Sequence, residues 1–230
     1  MENRLLKHID HLIDRYPKLL VCKEDIIKAY QLLEEAYGMG RKLLVSGNGG
    51  SASDSEHIVG ELMKEFKLKR NVYGRTNITE SADFSAVGER MEEIDPEMGA
   101  VLRENLQGAL PAICLTGHSA LTTAFMNDAN ADLVFAQQVN GYGKPGDVYL
   151  GISTSGNSKN VLYAAVTAKS KGLKVIGLTG AKESKLMKFA DVCIRVPETE
   201  TYKIQELHLP VYHCLCLMLE ESFFNKKNDL

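Results

Sequence analysis

Apolar positions along this chain show two patterns, and the alternation between them predicts the strands and helices. Short continuous apolar runs, which are typical of buried strands, lie at residues 42–46, 110–115, 147–152, 174–178 and 192–196. Apolar positions with helical spacing lie at residues 51–66, 119–125, 133–142, 158–170, 184–189 and 201–224. Continuous apolar strands that alternate with helices predict a parallel sheet covered on both faces, which is a three-layer α/β fold.

The chain before the first strand has helical spacing as well. Residues 3–15 and 24–38 predict an N-terminal helical hairpin, within residues 1–39, that packs before the sheet. Such a hairpin can supply oligomer contacts or simply cover the sheet.

Residues 67–108 interrupt the alternation between the first helix of the sheet region and the second strand. They are mostly polar, with a helical stretch near residues 98–106. Because connections of this length are usually functional or mobile, we expect a lid or an interface arm within a single domain that spans residues 1–230. A solvated surface excursion is the alternative.

Two serine- and glycine-rich turns each follow a predicted strand and precede a predicted helix, at residues 46–51 and 151–158. Glycines allow close approach of the backbone, and the free N–H groups of a helix start favour negative charge. Hydroxyl groups that can bind phosphate oxygens stand at Ser51, Ser153, Ser155 and Ser158. Either turn alone could be an ordinary strand-to-helix connection. Two of them at corresponding strand ends favour a phosphorylated small ligand.

Composition and charge disfavour several classes of protein. The 230 residues carry a net charge of −3, so no basic field attracts nucleic acid or a membrane surface. The five cysteines show no CxxC pairing and are expected to be buried in a reducing compartment rather than to bind zinc. Neither a signal peptide nor an apolar run of membrane-spanning length is visible, which predicts a cytoplasmic protein.

Two pairs of polar residues have the spacing of one helical face. His57 and Glu61 are four residues apart, and Gln205 and His213 are eight apart. Imidazole, carboxylate and amide groups can hold a borderline divalent metal such as zinc, or they can form an acid/base pair without metal. Taken singly, each could also be an ordinary core residue or part of a surface ion pair.

His208 competes with His213 for this role, and the helical pattern cannot choose between them. Pro210 lies between the two histidines and is expected to disturb the helix, because proline removes a backbone donor.

Together these residues resemble the sugar isomerase (SIS) domain family, and within it the phosphoheptose isomerases. The resemblance covers residues 40 to 225 apart from the segment 67–108, and is strongest at 47–61, 146–160 and 204–213. It implies a five-stranded parallel sheet and a homotetramer whose active sites lie at subunit interfaces.

The resemblance also implies roles for particular residues. Glu61 corresponds to the family base and His213 to its partner, and one zinc ion per subunit would be held by His57, Glu61, Gln205 and His213. The implied contacts to substrate and phosphate are Asn48, Gly49, Ser51, Asn127, Asp128, Ser153, Thr154, Ser155, Ser158 and Gln205.

The implied reaction is the interconversion of sedoheptulose 7-phosphate and D-glycero-D-manno-heptose 7-phosphate through a cis-enediol. Glu65 and Tyr202 stand where the family usually has a basic and an acidic residue, so an isomerase of another phosphosugar is one alternative. A phosphosugar-binding regulatory protein without turnover is the other. No nucleic-acid or membrane partner is expected.

Overall fold

Five parallel strands form one sheet, in the order β2-β1-β3-β4-β5, in the computed structural model, which describes residues 3–70 and 84–225. The strands are β1 (Leu43–Ser46), β2 (Ala112–Cys114), β3 (Val148–Ile152), β4 (Lys174–Thr179) and β5 (Val192–Arg195). All five predicted strands are confirmed, and β2 is shorter than predicted.

The helices of the described residues agree with most of the pattern. They are α1 (Asn3–Arg15), α2 (Lys23–Gly38), α3 (Gly50–Met63), α4 (Phe84–Ile94), α5 (Pro96–Asn105), α6 (Ser119–Asp128), α7 (Val134–Tyr142), α8 (Lys159–Ser170) and α9 (Thr201–Phe224). The helix predicted at 184–189 is only a short 3-10 turn, Leu186–Lys188. The segment 67–108 contains two helices, α4 and α5, where the sequence predicted one, and its residues 71–83 lie outside the described residues.

Successive strand residues point to opposite faces of the sheet, and each face has its own apolar core. Leu43 and Val45 pack in the core that contains residues of α1, α2, α3 and α9. Leu44, between them, packs in the second core with residues of α7 and α8. This arrangement confirms the three-layer architecture.

The two serine turns meet because β1 and β3 are neighbours. Ser46, the last residue of β1, pairs with Gly151 near the end of β3. β2 lies on one side of β1 and β3 lies on the other side. The direction in which the chain adds strands to the sheet therefore reverses between β1 and β3. Ligands of open parallel sheets bind beyond the carboxyl ends of the strands at such a reversal.

The segment that carries α4 and α5 leaves and rejoins the domain at one place. The N–H of Gly108 donates to the carbonyl of Arg70 at 2.8 Å, which closes the excursion at its base. α4 and α5 pack against each other. Ile94 at the end of α4 and Met98 in the first turn of α5 are 85% and 67% exposed.

The last helix, α9, continues through Pro210, so the proline does not end the helix. Proline removes only the donor that would have bonded to the carbonyl of Glu206, and burial of Pro210 within a 24-residue helix outweighs that single loss. Neither α9 nor any other helix in the described ranges is long and apolar enough to cross a membrane.

His208 lies on the face of α9 that packs into the protein and is fully buried. Burial lowers the pKa of this imidazole from 6.5 to about 4, and a smaller contribution from the backbone of Thr179 opposes the shift. The ring is therefore neutral at pH 7.

The burial of His208 predicts a loss of stability in mild acid. Its pKa is lower in the folded than in the unfolded chain, so the unfolded chain binds more protons as the pH falls from 6.5 towards 4. Between pH 7 and pH 5 the free energy of unfolding should fall by about 2 kcal/mol through this residue. Urea unfolding at both pH values measures the change. His208→Leu should flatten the dependence, whereas replacement of the exposed His11 by Gln should leave it as it is; an unchanged dependence in His208→Leu would contradict the prediction.

Candidate active site

A reciprocal pair of amides joins the two serine turns. Asn48 donates to Oδ1 of Asn160 and Asn160 donates to Oδ1 of Asn48, both at 2.9 Å. Asn160 was missed in the sequence analysis, although its place in the first turn of α8, directly after the second serine turn, is the signal that could have indicated it.

Glycines shape the first turn. Gly49 has a φ of 57°, a left-handed conformation that favours glycine, and α3 begins at the next residue. Any side chain on Gly50 would collide with the amide of Gln205, which lies against the start of α3. Ser51 is buried at this helix start, and Asn48 is exposed.

The second turn carries several hydroxyl groups and borders a small pocket. The hydroxyls of Ser153 and Ser158 are 3.0 Å apart, and the N–H of Asn157 donates to Oγ of Ser155 at 3.2 Å. A pocket of about 170 Å³ is lined by Thr154, Ser155 and Asn157 of this turn and by residues after β4 and β5. The predicted anion-binding turn is thus a concave, hydroxyl-lined loop at the edge of the sheet.

The helices α3 and α9 bring the predicted acid/base residues together. Both start at the carboxyl edge of the sheet, so they run in the same direction. Gln205 meets Gly50 near their starts, and two turns further on the rings of His57 and His213 have centroids 5.0 Å apart. Nε2 of His57 is 3.1 Å from Oε1 of Glu61. The structure therefore places His213, and not His208, beside His57.

A line of hydrogen bonds runs from Asp54 to Glu61. Oδ1 of Asp54 accepts from the hydroxyl of Tyr212 at 3.2 Å, and that hydroxyl is 3.0 Å from Nδ1 of His57, whose other nitrogen faces Glu61. Burial raises the pKa of Asp54, against opposing contributions from the Tyr212 hydrogen bond and from His57. Asp54 was missed although it shares a helical face with His57, and Tyr212 has no sequence signal beyond its place next to His213.

Three buried atoms in this cluster take part in no hydrogen bond, namely Oδ2 of Asp54, Oε2 of Glu61 and Nε2 of His213. Burial lowers the pKa of His213, as does His57, and Glu61 opposes the shift. A neutral imidazole beside a carboxylate can take up and release protons near neutral pH.

The side chains do not converge on a metal position as they stand. In the parts of the chain that the structure describes, no group of three or more His, Cys, Asp or Glu side chains is placed to hold a metal ion. His57 and Glu61 bond to each other instead.

Residues 65 and 202 were singled out in the sequence as departures from the family pattern. Nζ of Lys64 is 3.6 Å from Oε2 of Glu61, so a cation stands next to this carboxylate although residue 65 is acidic. Tyr202 is 57% exposed near the start of α9.

Asn127 and Asp128 are not brought to the serine turns. They end α6, are both exposed, and bond to each other at 2.8 Å. None of the hydrogen bonds found for the described residues joins them to either turn, so their predicted contact with substrate stays a prediction.

Comparisons with known proteins show the family of this chain. A family model described as SIS domain matches residues 90–180, a range that includes the second serine turn. The chain is 31% identical to a phosphoheptose isomerase of Aneurinibacillus thermoaerophilus over 231 residues, which covers 99% of this chain and 98% of that protein.

Solved structures show the same likeness. The chain matches a phosphoheptose isomerase from Neisseria gonorrhoeae with a TM-score of 0.68 at 29% identity, and one from Francisella tularensis with a TM-score of 0.70 at 28% identity. Each match covers 95% of this chain and 97% of the other.

The second turn predicts that Gly156→Ala weakens phosphate binding. Gly156 has a φ of 62°, and an added Cβ would collide with the hydroxyl of Ser184. The strained conformation should cost about 1–2 kcal/mol of stability, and displacement of the turn should weaken binding of inorganic phosphate by about tenfold or more. Titration calorimetry measures the affinity and thermal unfolding the stability.

Gly172→Ala is the matched control for this variant. Gly172 has a φ of 79°, but its nearest neighbour, Pro145, would lie 3.5 Å from the added Cβ, and it is remote from the serine turns. It should lower stability without changing phosphate affinity. Equal phosphate affinity in both variants would show that the second turn does not bind the anion.

Proposed function

The chain belongs to the phosphoheptose isomerase family, and from that premise we propose that it interconverts sedoheptulose 7-phosphate and D-glycero-D-manno-heptose 7-phosphate. The observation that carries the proposal is that Glu61 and His213 both lie against His57, on two helices that start beside the serine turns. An acid/base pair together with an anion site is what an aldose–ketose isomerisation of a phosphosugar requires.

Each part of the site has a separate task. The hydroxyls and N–H groups of the second turn hold the phosphate through charge-assisted hydrogen bonds. Asn48, just before α3, and Gln205 of α9, whose amide lies against the start of α3, would bind sugar hydroxyls. With the phosphate fixed at one end, the sugar chain can extend from the turns along α3 and α9 toward Glu61 and His213.

The reaction moves one proton between neighbouring carbons. In the ketose-to-aldose direction, the Glu61 carboxylate removes a proton from C1, which gives a cis-enediolate with its negative charge on the C2 oxygen. The neutral imidazole of His213 takes the proton of the C1 hydroxyl and delivers it to the C2 oxygen. Glu61 then returns its proton to C2, and the C1 oxygen becomes that of the aldehyde. Both residues end in the protonation state in which they began.

The donor atoms of the site support the inclusion of zinc in this proposal. Two imidazoles, a carboxylate and an amide oxygen suit zinc, and Oε2 of Glu61 and Nε2 of His213, which take part in no hydrogen bond, would be two of the ligands. Together with His57 and Gln205 they would hold the ion, provided that His57 and Glu61 give up their mutual hydrogen bond. A bound zinc ion would polarise the oxygens of the sugar.

The zinc proposal predicts one bound ion per subunit. Elemental analysis of protein dialysed against zinc and then against buffer gives the stoichiometry. His213→Ala should weaken zinc binding by about tenfold or more, whereas His11→Ala, at an exposed position of α1, should not change it. Wild-type protein that retains no zinc would overturn the assignment.

The mechanism predicts that Glu61→Gln abolishes turnover without abolishing binding. The amide keeps the size of the side chain but cannot accept the proton from carbon, so kcat should fall by about 10²- to 10⁴-fold. Affinity for the phosphosugar should stay within about twofold, because the serine turns are unchanged. Glu56→Gln, an exposed position on the same helix, is the control and should keep full activity. An active Glu61→Gln variant would refute this assignment.

The decisive experiment on the function is product analysis by NMR after incubation of zinc-loaded protein with sedoheptulose 7-phosphate. Appearance of the aldoheptose 7-phosphate supports the proposal. Failure of the folded protein to convert it, together with retained binding, would favour another phosphosugar or a regulatory role.

Membership of the family also underlies our proposals for the oligomeric state and the cellular location. We expect a homotetramer with active sites at subunit interfaces, a cytoplasmic location, and a role for the segment 67–108 as a lid or an interface arm. The exposed apolar side chains of Ile94 and Met98 support contact of this segment with another surface.

A further inference from the structure

A fully buried ion pair lies directly behind the acid/base residues. The side chains of Arg70 and Glu220 are 0% and 1% exposed, and Nη2 of Arg70 is 2.9 Å from Oε1 of Glu220. The two residues are 150 positions apart in the chain, so they join the region after α3 to the end of α9. Neither residue belongs to the site inferred from the sequence.

Arg70 caps the end of the helix that carries Glu61. Its Nη1 donates to the carbonyl of Leu62 at 2.7 Å, and its Nη2 donates to the carbonyl of Glu61 itself at 3.0 Å. The last carbonyls of a helix have no partner within the helix and carry partial negative charge, so a guanidinium there satisfies both needs. The backbone of Glu61 is thereby tied to Arg70.

Glu220 holds the loop that follows. Its Oε1 accepts from the N–H of Phe66 at 2.8 Å, and its Oε2 accepts from the N–H groups of Lys67 and Leu68 at 2.8 and 3.1 Å. The ring of Phe66 in turn packs against His213, with centroids 5.3 Å apart. One carboxylate therefore fixes the loop whose aromatic ring borders the second acid/base residue.

We propose that Arg70 and Glu220 are positioning residues for the isomerase reaction, which set the relative placement of Glu61 on α3 and His213 on α9. The inference rests on the proposed function, because it assigns these two residues to the same acid/base pair. Neither Arg70 nor Glu220 touches the substrate. Both act through the backbone of Glu61 and through Phe66.

The chemistry of Arg70 and Glu220 is better suited to fixing the positions of neighbouring groups than to stabilising the fold alone. Arginine presents several donors in a planar fork, and here the fork reaches the carboxylate and two carbonyls at once. A lysine has the same charge but cannot span these acceptors. Proton transfer is sensitive to displacements of about 1 Å, so loss of the fork should affect turnover more than binding.

The test uses two conservative variants of the full chain, Arg70→Lys and Glu220→Gln. We expect kcat to fall between about 10- and 100-fold, while KM and the affinity for inorganic phosphate change by less than about twofold. The ring resonances of His57 and His213 in NMR spectra should shift in both variants. Unchanged kcat and unchanged ring resonances in a folded Arg70→Lys variant would overturn the proposal.

Asp147→Asn is the matched control. Asp147 is also buried and accepts from the backbone N–H groups of Lys42 and Lys144, but it lies just before β3, at the opposite edge of the sheet. The variant should lower the melting temperature without lowering kcat. Loss of kcat in proportion to melting temperature in all three variants would show a purely structural role.

A measurement on the wild-type protein covers the case in which the variants do not fold. The amide protons of Phe66, Lys67 and Leu68 should exchange with solvent as slowly as those of the sheet, because a buried carboxylate binds them. Rapid exchange would overturn the inference. If the wild type converts no phosphosugar, the proposed function fails, whereas the exchange rates and the histidine resonances still report on the ion pair.

Discussion

The parallel pairing of β1 with β3 is the constraint on which the site depends. It sets Ser46 beside Gly151, so both serine turns open at the same point of the sheet edge. Because every strand is parallel, the helix after each strand starts at that edge and runs back along the sheet. α3 and α9 therefore lie side by side in the same direction, and residues at matched distances from their starts meet. Strand register, more than loop conformation, brings His57 to His213.

Much of this arrangement could be predicted because it follows from local pattern. The five apolar runs, the helical spacing and the two serine turns each depend on neighbouring residues, and the pairing of His57 with Glu61 depends on one turn of helix. The choice between His208 and His213 does not, because helical spacing defines a face without saying which face the sheet covers. In the folded protein His208 is on the buried face of α9, whereas His213 is on the face that meets α3.

Contacts between distant segments could not be predicted from one sequence. Nothing in the pattern links Tyr212 to Asp54, or Arg70 to Glu220, since each pair is joined only after α9 has packed on α3. Pro210 is a second case in which the local pattern is not sufficient. A local rule predicts a disturbed helix, but burial of the whole of α9 against the domain keeps it continuous.

The hydrogen bond between Arg70 and Gly108 has a consequence for how this chain can vary. A segment whose two ends already touch can gain or lose residues without moving either strand that flanks it. The entropy of closing such a loop grows only slowly, by about 0.6 kcal/mol for each doubling of its length. The region between these residues is thus a place at which the length of the chain can change while α3 and β2 keep their positions.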